Sequence, residues 1–123
     1  MSHAIEVKVQ TRYIAAQSQP ELRRFVFTYT ITISNKSETA AQLISRHWRI
    51  RDARDQLQEV QGLGVVGEQP LLEPGASYTY TSGVILETET GMMEGSYEFE
   101  REDGERFTAP IPAFALVPPH AIH

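Results

Sequence analysis

Phe25-Val26-Phe27-Thr28-Tyr29-Thr30-Ile31-Thr32-Ile33 is the stretch on which the fold turns. Phe25, Phe27, Tyr29, Ile31 and Ile33 fall on one face of an extended chain, with Arg24, Thr28, Thr30 and Thr32 on the other. Strict alternation of β-branched and aromatic residues reads as a strand with one buried face, because a helix would scatter the same residues around its surface. Upstream, Ile5, Val7, Val9 and Tyr13 alternate with Glu6, Lys8, Gln10 and Arg12, giving a first half-buried strand. Downstream, Ser34-Asn35-Lys36-Ser37 supplies turn chemistry. A third strand is expected from Ala41 to Asp52, with Ile44, Arg46, Trp48 and Ile50 on one face.

The remaining chain follows the same grammar. Asp52-Ala53-Arg54-Asp55 turns into a strand over 56–61, and 62–67 is a glycine-rich loop. Pro70 and Pro74 bar a helix after it. Pro74-Gly75 precedes a strand that carries Tyr78 and Tyr80 and ends near Leu86. Residues 88–94 read as a loop, 95–101 as a strand, Asp103-Gly104 as a hairpin turn and 106–117 as the last strand. Pro110 and Pro112 mark that strand as an edge or a bulged one. About seven strands without a helix define an all-β chain, a sandwich of the immunoglobulin/fibronectin type III-like kind. Trp48 and Tyr97 stand where such folds bury a tryptophan and tie down a tyrosine hydroxyl.

Composition narrows the function classes. A length of 123 residues is one domain, 1–123, large enough to bury roughly two-thirds of its unfolded surface without disulfide or metal staples. The absence of cysteine excludes thiol catalysis, cysteine-ligated zinc and iron–sulfur clusters. The N-terminal residues alternate apolar and charged from Ile5, unlike a signal peptide, and no apolar run reaches the ~20 residues of a membrane helix. A cytoplasmic chain without membrane insertion is expected. The formal charge of −5 argues against nucleic acid as a partner, since phosphate-backbone binding rests on clustered Lys and Arg. The local basic strip Arg46, Arg49, Arg51 and Arg54 reads as the solvated face of a strand.

Gly62-Leu63-Gly64-Val65-Val66-Gly67 matches G-x-G-x-x-G letter for letter. In dinucleotide-binding folds such glycines let backbone amides reach a pyrophosphate, but a helix must follow, and here Glu68-Gln69-Pro70 follows instead. Three readings stand side by side. The glycines absorb positive φ angles in a tight turn; the loop amides form an anion nest; or Leu63, Val65 and Val66 are apolar contact residues for a protein. The candidate binding loop is therefore Gly62, Gly64, Val65, Val66, Gly67 and Glu68.

Other candidates are thinner. His120 and His123, with His3, offer loose chelation of a transition metal without the fixed ligands of a built site. His47 is expected to face solvent, opposite Trp48. Glu98, Glu100 and Glu102 share a strand face that could attract a hard cation, although such rows more often protect a sheet edge. No catalytic constellation stands out, so the chain is read as a non-enzyme without a cofactor.

Several motifs in fixed order point to one family. They are Ser45-Arg46-His47-Trp48 with Ile50 and Asp52, the run from Gly62 to Pro70, Leu72-Glu73-Pro74-Gly75, and Tyr78-Thr79-Tyr80-Thr81-Ser82-Gly83. Gly91-Met92-Met93-Glu94-Gly95-Ser96-Tyr97, Phe107 and Ile111-Pro112-Ala113-Phe114 continue the pattern. Together they resemble the ApaG family over nearly the whole chain. The resemblance implies a fibronectin-type sandwich, and bacterial members are named from a phenotype of cobalt resistance and magnesium efflux. The family's gene neighbourhood includes a diadenosine-tetraphosphate hydrolase. Similar domains end some F-box proteins and a polymerase-delta-interacting protein, where they look like recognition modules. The resemblance brings no catalytic residues; its glycine motif, read as a pyrophosphate site, maps to Gly62, Gly64 and Gly67. The expected function is a binding or regulatory module with an unidentified protein partner. A nucleotide sensor using the glycine loop and a weak divalent-metal binder are the alternatives, and pairing of edge strands into a homodimer stays open.

Overall fold

In a computed structural model, which describes residues 4–121, the strands form two antiparallel sheets packed face to face. They are β1 (Ile5–Tyr13), β2 (Phe25–Asn35), β3 (Ala41–Asp52), β4 (Leu57–Leu63), β5 (Leu71–Leu72), β6 (Ser77–Leu86), β7 (Gly91–Arg101) and β8 (Arg106–Leu116). One sheet runs β1-β2-β6; the other runs β4-β3-β7-β8, with β5 also pairing β3. Eight strands thus stand where about seven were expected. The addition is the two-residue β5, too short for any periodicity to announce.

β2 is the centre of the smaller sheet. Phe27, Ile31 and Ile33 point inward and are fully buried, opposite Leu43, Trp48, Tyr97 and Phe99 of the larger sheet. Each such side chain contributes about 1.5–3 kcal/mol on leaving water, so the alternating stripe that identifies the strand also holds the sheets together. On the outer face the threonines pair across strands. Thr30 Oγ1 lies 2.8 Å from Thr81 Oγ1, and Thr32 Oγ1 lies 3.0 Å from Thr79 Oγ1. The aromatic centre is Trp48, with Tyr29 at 5.3 Å and Phe114 at 5.9 Å between ring centroids. Tyr97 is fully buried, and its hydroxyl is bonded to that of Tyr80.

Two details depart from the alternation. In β3 the register with β7 shifts between Leu43 and Ser45, so Leu43 rather than Ile44 takes the core position. The bulge inserts one residue and reverses the inside–outside phase, leaving Ala41 and Leu43 buried before it and Trp48 and Ile50 after it. β7 begins at Gly91, not Gly95, because pairing of Asp52 to Gly91 carries the ladder through the stretch that reads as a loop. β8 is an edge strand, as its prolines require. β1 packs against β8 along one side of the sandwich. On the opposite side a groove of about 560 Å³ runs between β4 and β6.

Candidate functional site

The glycine motif is a hairpin end. Val65 and Glu68 exchange both backbone hydrogen bonds, at 2.8 and 2.9 Å, and Val66 and Gly67 between them have φ values of 41° and 82°. Two consecutive positive φ angles define the type I′ kind of two-residue turn. Gly64 also has a positive φ, of 64°, and a Cβ there would sit 2.3 Å from the Glu68 carbonyl oxygen. Gly62 serves another purpose: a Cβ would meet Arg46 Nη1 at 2.9 Å. That clearance lets the Arg46 guanidinium donate through Nη1 to the carbonyls of Leu63 and Gly64, at 3.0 and 2.9 Å.

The bulge in β3 anchors the same loop. Ile44 O accepts from the Gly64 amide at 2.8 Å and from Gln69 Nε2 at 2.9 Å. The amides of Gly64, Val65 and Glu68 are therefore spent inside the protein, and an anion seeking them would have to open the turn. Val65, expected as an apolar contact residue, is instead wholly buried in the core. It falls on the inward side of the turn, and its amide and carbonyl fix it there. The neighbours that do reach solvent are Leu63 at 73%, Val66 at 56% and Leu71 at 56% exposure. Leu63 pairs with Ser45 and Leu71 with Gln42, so both flank the bulge, with Val66 at the turn between them in sequence.

The groove between β4 and β6 was not visible in the sequence. Tyr29, Trp48, Ile50 and Val84 give it apolar walls, while Arg24 and Arg46 supply charge. No Asp or Glu lines it. Neither arginine has a carboxylate within ion-pair distance among the described residues, whereas Arg49, Arg51, Arg101 and Arg106 all do. Alternation put Arg46 on the face of Trp48, whereas the basic strip read as solvated; Arg46 does face inward with Trp48, half-buried, so the solvated reading fails for it.

The remaining candidates are dispersed. His120 Nε2 lies 2.8 Å from Glu89 Oε2, and its ring stands edge-on to Tyr13 at 6.2 Å. His3 and His123 lie outside the described residues. Glu98 and Glu100 face Arg106 at 3.1 and 3.3 Å, so these two are paired rather than open, and Glu102, expected on the same strand face, lies in the turn beyond β7. His47 points outward as expected, but its Nε2 is shielded from solvent, 3.5 Å from Glu59 Oε2. Among the described residues no three His, Asp or Glu gather into a metal site, and no helix is long and apolar enough to cross a membrane.

The fold and this turn define an antiparallel β-sandwich domain of the ApaG type. The ApaG domain family model matches residues 15–101. Protein ApaG of Pseudomonas paraeruginosa is 54% identical over 121 residues, covering 98% of this chain and 96% of that one. Protein ApaG of Azoarcus sp. is 55% identical over 122 residues, covering 99% and 96%. A crystal structure of an ApaA protein from Bordetella pertussis superposes with a TM-score of 0.92 at 48% identity, covering 94% of each chain. The chain belongs to the ApaG family.

Proposed function

We propose that this domain is a non-enzymatic recognition module that docks a protein on the patch formed by Leu63, Val66 and Leu71. The observation that carries the reading is Val66. A β-branched residue at positive φ costs about 1–3 kcal/mol, and Asn or Gly would relieve it. Val66 is also more than half exposed, so the chain bears backbone strain and an apolar surface at one position. Strain of this kind persists only where the surrounding structure enforces it, and it clusters at functional sites. A cytoplasmic setting and an indirect link to cobalt resistance and magnesium efflux, through the docked partner, belong to the same proposal. A nucleotide sensor has less support, because the turn consumes three of the amides it would use.

The test pairs stability with contact. Val66→Asn is expected to stabilise the isolated domain by about 1 kcal/mol, since Asn-Gly is the preferred I′ sequence. In cells, a photo-crosslinking residue at position 63 is expected to trap one defined protein, and Val66→Asn to weaken that capture. Unchanged capture, or equal capture from a crosslinker placed at Glu102, would sink the patch.

A further inference from the structure

We propose that the groove between β4 and β6 receives an extended acidic peptide segment, which adds as a strand to β6 and sets its carboxylates on Arg24 and Arg46. This goes beyond the turn patch and stands on a different surface.

The first ground is the edge itself. The sheets end on β1, β6 and β8 and, on the fourth side, on β4 together with the two-residue β5, which is too short to template a strand. Natural edges are blunted by charge or proline. β1 carries Glu6, Lys8 and Arg12; β4 carries Glu59; β8 carries Arg106, Pro110 and Pro112. β6, Ser77–Leu86, has ten residues and neither a charge nor a proline. Alternate residues of an edge strand direct N–H and C=O groups away from their neighbour, and these are the groups a peptide strand pairs with. One edge has been left open.

The second ground is charge. In a chain of net charge −5, the groove beside this edge holds two arginines and no carboxylate. Among the described residues, Arg46 uses Nη1 on the turn carbonyls, leaving Nη2 and Nε without a hydrogen bond, and Arg24 makes one long contact, from Nε to Gln17 O at 3.4 Å. In an added strand every second side chain turns toward the facing sheet, so alternate carboxylates fit these guanidiniums. A second copy paired edge to edge would instead bring the arginines of both chains together, which charge opposes.

The test uses the full chain and a fluorescein-labelled octapeptide alternating Glu and Val, with Gln–Val and Lys–Val versions and inorganic pyrophosphate as controls. Fluorescence anisotropy is expected to show the Glu peptide binding about tenfold or more tightly than the Gln version, the worth of one charge-assisted hydrogen bond. Hydrogen exchange is expected to slow at residues 82–85. Arg46 also holds the turn, so Arg24→Gln and Ser82→Glu, which leave the turn intact, decide the matter; each is expected to weaken binding several-fold. Val66→Asn is expected to leave it unchanged, which separates this groove from the turn patch. Equal binding of the three peptides, protection elsewhere, a groove that responds to pyrophosphate alone, or a dimer through β6 would each overturn the assignment.

Discussion

Tyr80 and Tyr97 meet hydroxyl to hydroxyl between the sheets, and each satisfies a polar group the other would otherwise leave stranded. Removing one hydroxyl leaves its partner buried and unpaired, at a cost of about 1–3 kcal/mol. Tyr97→Phe is therefore expected to lower stability by that amount in urea unfolding, and Tyr80→Phe/Tyr97→Phe to cost less than the sum of the singles. Burial pushes both phenols above the ordinary tyrosine range, where they ionise near 10 in the unfolded chain. Above that pH the unfolded state sheds protons that the native state keeps. Stability then falls with rising pH, by up to about 1.4 kcal/mol per pH unit for each group, and the double variant is expected to flatten that loss. A second residue-scale prediction concerns Gly95, whose Cβ would stand 2.1 Å from the His47 carbonyl oxygen of the neighbouring strand. Gly95→Ala is expected to destabilise by about 1–3 kcal/mol through forced separation of β3 and β7, read as a lower urea midpoint. Nothing local in the sequence ranks Gly95 above the more conspicuous Gly62, Gly64 and Gly67, because the clash is with a residue 48 positions away.

At the scale of elements, alternation located β1, β2 and β3 because each has one face turned to the core, and a period of two follows from that alone. It failed at Ile44, where a bulge adds a residue without a residue type to mark it. The bulge is not incidental. Its carbonyl holds both Gly64 and Gln69, so the irregularity in β3 positions the turn that follows β4. The glycine motif was legible as a turn, with each glycine needed for space or for positive φ. Alternation set its spatial partner Arg46 on the Trp48 face but did not show its reach to the turn, which depends on the pairing of β3 with β4. The same limit hid Val65, whose direction depends on how the turn closes rather than on its neighbours in sequence.

On the scale of the whole molecule the two sides of the sandwich differ. Contact between β1 and β8 closes one side; the groove keeps the other open. The number of strands follows from the sequence almost directly, but which of them become edges is decided by pairings between distant segments. An edge without charge or proline is a liability whenever its ligand is absent, because any extended chain can pair with it. Repulsion between the groove arginines of two copies disfavours a stable β6 dimer, so the weak association left at high concentration is what this edge is expected to carry. Ile85 is half exposed on that strand, and Ile85→Lys places on it the device the other edges already carry. The substitution touches no ion pair, and surface changes of this kind cost about 0.5 kcal/mol or less. Light scattering at high protein concentration is expected to fall in Ile85→Lys, whereas Thr108→Lys on β8, an edge already guarded by Arg106 and Pro110, leaves it unchanged. Equal effects from the two lysines would mean that added charge alone keeps the molecules apart, and that β6 is no more open than its counterpart.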